Sequence, residues 1–145
     1  MFGLPAEGPR FAIVAQDALE WVQSARPATY GVVQVDLYDS KADGPVLDSV
    51  DFYRATRRLL PDSGGLVAVN LFGRPRALKQ SLAHLKIAFD DRVRLMAPIR
   101  AGNRVALCFH GPSFQVDHGL LARRASWLEN RFGFPYPRWL EGVED

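Results

Sequence analysis

The stretch Gly31-Val-Val-Gln-Val-Asp36 constrains this chain more than any other. Branching at Cβ makes valine stiff at χ1 and costly in a helix, so three valines in so short a run read as a strand. Such a run, without clean alternation, fits a strand covered on both faces, as in a parallel sheet. The run ends in an acid, Asp36, and a second acid, Asp39, follows before the polar loop Ser40-Lys-Ala-Asp-Gly-Pro45.

The rest of the chain alternates strand and helix around this run, the pattern of a layered α/β fold. Phe11-Ala-Ile-Val-Ala-Gln16 reads as a short apolar strand, and Asp17 opens a helix through Ala25 that Pro27 stops. Ser49 can cap the next helix, with Phe52, Thr56, Leu59 and Leu60 on its inner stripe. Pro61-Asp-Ser-Gly-Gly65 is a turn by its chemistry. Leu66-Val-Ala-Val-Asn-Leu71 follows as a third strand. Leu78, Leu82, Leu85 and Phe89 fall at helical spacing between Ala77 and Phe89. Val93–Met96 and Arg104–Phe109 are two further strands, and Ala101-Gly-Asn103 joins them in a hairpin-like return. Asp117 caps a last long helix to Phe132 with Leu120, Leu121, Leu128 and Phe132 inward; the aromatic tail Tyr136–Leu140 is expected to dock. Residues 1–112 thus form one partial α/β domain and residues 113–145 a helical extension packing on it.

Composition narrows the functional classes. The chain has 145 residues, 48% hydrophobic and 23% charged, which is enough for one globular domain. A net charge of +2 is too small to argue for nucleic acid. A single cysteine, Cys108, rules out an internal disulfide framework and reads as an inert core thiol inside an apolar strand. His84, His110 and His118 match no zinc spacing, so no metal is expected. No apolar run nears the roughly 20 residues that cross a bilayer, and no signal-like segment opens the chain, so a cytoplasmic protein is expected. The Arg57-Arg58 pair is explained by the helix dipole.

Open α/β sheets bind ligands beyond the carboxyl ends of their strands. Asp17, Asp36 with Asp39, and Asn70 stand at such ends. Paired carboxylates attract protonated amines, and one of them can accept a proton from an amine nucleophile. Turn capping through the backbone competes as an explanation for Asp36, and N-capping of a helix suffices for Asp17.

The order of motifs resembles the spermidine synthase-like proteins, aminopropyltransferases on the class I S-adenosylmethionine-dependent methyltransferase fold. Arg10-Phe-Ala-Ile-Val-Ala-Gln-Asp-Ala18, Tyr30-Gly-Val-Val-Gln-Val-Asp-Leu-Tyr-Asp39, Gly44-Pro45, Asp51-Phe-Tyr-Arg54 and Gly64-Gly-Leu-Val-Ala-Val-Asn70 carry the resemblance, over about residues 3 to 112. It implies a three-layer, partial Rossmann-like sheet, mostly parallel, with an antiparallel strand near the C-terminus. It also implies that an amine such as putrescine attacks decarboxylated S-adenosylmethionine. On that resemblance Asp36 is the proton acceptor, Asp39, Tyr38 and Asn70 hold the amine, and Asp17 and Ala18 lie beside the adenine of the donor. Leu37 and Tyr38 stand where the best-known spermidine synthases carry serines, and Asn70 where they carry glutamine.

The family's opening strand, glycine-rich loop and second strand have no counterpart here, so the chain resembles the C-terminal half alone. Without those first two strands Phe11–Gln16 lacks its neighbours, and unpaired buried backbone is costly. Two outcomes are expected. Either this strand pairs with Gly31–Asp36 directly, or a second copy supplies strands in a homodimer. A catalytically inactive, self-associating remnant and a methyltransferase of the same fold are the alternative functions.

Overall fold

The structure, a computed structural model, describes residues 6–38, 46–98, 103–113 and 115–140. Strand β1 (Val32–Val35) carries the valine run. It is followed by helix α2 (Val50–Arg58), strand β2 (Gly65–Leu71) and helix α3 (Pro75–Ala88), with α1 (Ala18–Ser24) preceding it. Strands β3 (Val93–Leu95) and β4 (Arg104–His110) and helices α4 (His118–Phe132) and α5 (Tyr136–Leu140) complete the chain.

The strand order is β1-β2-β4-β3. β1 runs parallel to β2, and β4 runs antiparallel to both β2 and β3. Three strands therefore point one way and β4 alone is reversed, the partial Rossmann-like sheet that the motif order implies. Pleating sends alternate residues to opposite faces. One face holds Val33, Val35, Val67, Val69, Leu71, Val93, Ala106 and Cys108, which join Phe52, Tyr53, Leu59, Leu85 and Phe89 from α2, α3 and their ends in the core. Val32, Gln34 and Asp36 lie on the other face, level with Leu66, Ala68 and Asn70.

Local chemistry sets the helix boundaries. Asp17 accepts from the amides of Leu19 and Glu20, and Ser49 from that of Phe52, satisfying donors that a helix start leaves over. Asp117 does the same for Leu120, and Gly133, at φ 75°, closes α4 in the left-handed region. The two arginines at the end of α2 serve neighbouring helices as well as their own dipole. Arg58 donates to the carbonyls of Val22, Gln23 and Ala25 at the end of α1. Arg57 donates to Ala88 O at the end of α3 and pairs with Asp90 at 2.8 Å.

Four expectations are corrected. Phe11–Gln16 is not a strand: Phe11 makes an isolated bridge to Gly8, and residues 12–15 carry no regular structure. Direct pairing of this segment with Gly31–Asp36 is absent, since β1's only partner among the described residues is β2. β1 is not covered on both faces among the described residues, because the face opposite the core leaves Val32 59% exposed. The apolar residues of α4 do not face inward: Leu120, Leu121 and Phe132 are exposed, Leu128 is half-buried, and only Ala125 is buried. The aromatic tail forms α5 and packs on its own neighbours, with Phe134, Tyr136 and Trp139 in mutual ring contact.

Candidate functional site

The carboxyl ends of β1 and β2 lie side by side because the strands are parallel and in register, Val35 opposite Val69. One residue further on, the same register sets Asp36 beside Asn70. Partners across a ladder share a face, so the two side chains meet. Asn70 Nδ2 donates to Asp36 Oδ1 at 2.9 Å. Asp36 is exposed and Asn70 half-buried, so the amide fixes one oxygen of a carboxylate that stands toward solvent. Tyr38 follows on the same chain segment, 61% exposed, with its ring edge-on to Phe72 at 6.0 Å. The segment after β1 is thus joined twice to the end of β2 and the residue that follows it, by the acid–amide bond and by the aromatic pair.

The other expected residues fall elsewhere. Asp17 caps α1 with its carboxylate, and Ala18 is the first residue of that helix; no described contact joins either to Asp36 or Asn70. Asp39 lies outside the described residues. A cleft of about 340 Å³ opens at the far end of the sheet, lined by Gly31, Ser63, Gly64, Gly65, Phe109 and His110 among others, and holds none of the expected site residues.

Two polar clusters escaped the sequence reading. In the first, Asp48 accepts from Tyr53 Oη at 3.0 Å and from Ser81 Oγ at 2.9 Å, and faces His84 Nδ1 at 3.4 Å. Burial above all, with the Asp48 carboxylate next, pushes the Tyr53 hydroxyl well above the ordinary tyrosine range. Because this oxygen stays protonated, it donates to Asp48. In the second, Arg57 Nε donates to His110 Nδ1 at 3.1 Å, which leaves Nε2 to carry the proton toward Asp62 Oδ1 at 3.2 Å. Tyr53 stands next to a predicted inner residue, Phe52, but nothing in the spacing links Asp48, which precedes α2, to Ser81 in α3. Cys108 is fully buried, and that burial pushes its thiol up to about 12.

These features define a helix-covered mixed sheet that carries an acid–amide pair where parallel strands end. Comparison with known proteins is consistent with this. No protein-family model matches the sequence. The polyamine aminopropyltransferases of two Neisseria meningitidis strains, of serogroups A and B, are each 27% identical to it over 144 residues. That of Chromobacterium violaceum is 28% identical over 143. Each alignment covers 99% of this chain but 54% of the relative, so the chain spans about half the length of the curated relatives it matches. A probable spermidine synthase from Corynebacterium glutamicum shares the fold at a TM-score of 0.65 and 23% identity, over 87% of this chain and 53% of that one. The chain resembles the C-terminal half of the spermidine synthase-like proteins.

Proposed function

We propose that this chain carries the amine-handling part of an aminopropyltransferase-type site. In this reading Asp36 accepts the proton released when an amine such as putrescine attacks the aminopropyl carbon of decarboxylated S-adenosylmethionine. The new bond is carbon–nitrogen, the broken bond is carbon–sulfur, and the thioether leaves as methylthioadenosine. Asn70 orients the Asp36 carboxylate, and Tyr38 and Asp39 border the amine. Asp17 and Ala18 lie toward the adenosyl donor, whose remaining contacts come from outside the described residues. The protein acts in the cytoplasm, in polyamine biosynthesis, as a homodimer, with residues 113–145 as a helical extension. The observation that carries this reading is the bond between Asn70 and Asp36 where two parallel strands end.

A second reading, a remnant that self-associates without turnover, is favoured by the outer edge of β1, which has no partner among the described residues, and by the exposed segment before α1. Titration calorimetry separates the two. The transferase reading expects putrescine or methylthioadenosine to bind with a Kd in the micromolar range, about −8 kcal/mol. It expects Asp36→Asn to abolish putrescine binding, while Asp62→Asn, at the opposite end of the sheet, leaves it intact. No heat with either ligand at millimolar concentration refutes it for this chain.

A further inference from the structure

The register of β1 on β2 runs on past the acid–amide pair. Val35 lies opposite Val69, so Asp36 comes level with Asn70, Leu37 with Leu71 and Tyr38 with Phe72. The side chains keep the alternation of a ladder. Leu71 is fully buried and Leu37 packs against the core. Asp36 meets Asn70 on the opposite face, and Tyr38 meets Phe72. Two successive cross-strand pairs therefore end this face, one polar and one aromatic. A strand-like rise over two residues sets them about 7 Å apart. No sequence motif marks Phe72; the register alone brings it here.

Each pair has its own chemistry. The Asp36 carboxylate attracts an ammonium group. The rings of Tyr38 and Phe72 stand nearly at right angles, with 84° between their planes and 6.0 Å between centroids. A further ring or an alkyl body can lie against such a corner in edge-to-face or offset contact. An ammonium can also sit over a ring, but it is strongly hydrated and gives up water to do so. An apolar body gains by leaving water. Tyr38 stands where the best-known spermidine synthases carry a serine, so the aromatic step is a feature of this chain and not of that resemblance.

We infer that Tyr38 and Phe72 select the amine. The site takes a primary amine with an apolar, ring-bearing body in preference to an α,ω-diamine. The nitrogen lies at Asp36 and the body against the aromatic pair. This selection rests on the amine-handling function proposed above and adds to it the class of amine. An arylalkylamine with a short carbon link between nitrogen and ring reaches from the carboxylate to the rings. A diamine of similar length sets its second ammonium, rather than an apolar group, beside Phe72.

Titration calorimetry of the 145-residue chain with phenethylamine and with putrescine tests the selection. Phenethylamine is expected to bind about tenfold tighter or more, and Asp36→Asn to abolish its binding. Tyr38→Ser and Phe72→Ala are each expected to bring the two affinities toward equality, a ratio that a general loss of packing does not move. Phe72→Leu replaces Phe72→Ala should the latter lose the cooperative melting of the fold. Putrescine binding as tight as phenethylamine, or tighter, overturns the selection and leaves the transferase reading standing. A preference that survives both aromatic variants overturns it too. So does phenethylamine binding that survives Asp36→Asn, the mark of an apolar patch elsewhere. No heat from either amine at millimolar concentration also overturns it, and the transferase reading then rests on methylthioadenosine alone.

Discussion

Asn70 holds one oxygen of the exposed Asp36, so its amide orients a charged group without burying it. On the proposed function, loss of that bond acts on binding more than on folding. Asn70→Leu is expected to change stability by less than about 0.5 kcal/mol, as surface substitutions do. It is expected to weaken amine binding by about tenfold, the worth of one hydrogen bond to a charged group. Thermal melting and calorimetry on the same sample check both halves; a variant with unchanged affinity removes Asn70 from the site. Much of this site is legible in the sequence. Asp36 and Asn70 close two valine-rich runs, and both runs read as strands. Their direct contact is not legible, because it depends on a parallel register that no local pattern encodes. Asp48 is less legible still, since its partners come from α2 and α3 and its own position shows only a short acid ahead of a capping serine.

At the scale of elements, the helices and the paired strands follow from local chemistry, and the departures from it all concern what lies next to an element. Ser49, Asp17, Asp117 and Gly133 mark helix ends through short-range rules and lie where those rules put them. Phe11–Gln16 has the composition of a strand but no neighbour among the described residues to complete a ladder, and a lone strand leaves its peptide groups to water. Leu120, Leu121 and Phe132 lie on an amphipathic pattern whose apolar side meets no described core. The joint between β2 and β4 is tighter than composition suggests. A Cβ on Gly111, at φ 101°, would lie 2.5 Å from the Cα of Gly64 and 2.7 Å from its nitrogen. Backbone on both sides leaves no flexible group to yield. Gly111→Ala is expected to destabilise the chain by about 3 kcal/mol, adding left-handed strain to overpacking. A denaturant midpoint equal to wild type refutes that close approach.

For the molecule as a whole, two buried groups couple the interior to alkaline pH. The thiol of Cys108 ionises near 9.0 when free and near 12 when folded, so the folded state keeps its proton longer than the unfolded chain does. Its contribution to stability is complete below about pH 9 and declines as pH rises from there toward 12. Tyr53, shifted in the same direction, adds to the fall at the upper end. Denaturant titrations from about pH 8 to 11 are expected to show stability dropping, and Cys108→Ala is expected to lessen the slope. An equal slope in that variant places the alkaline weakness elsewhere. The Asp48 carboxylate bears on the same interior in another way. Tyr53 from α2 and Ser81 from α3 donate to its two oxygens, and His84 from α3 faces it. A slip of either helix by one turn would strand a negative charge among apolar side chains, at a cost of several kcal/mol. α2 and α3 are therefore indexed to one another by a single anion, and a relative whose acid is replaced there is free to set those helices at a different offset.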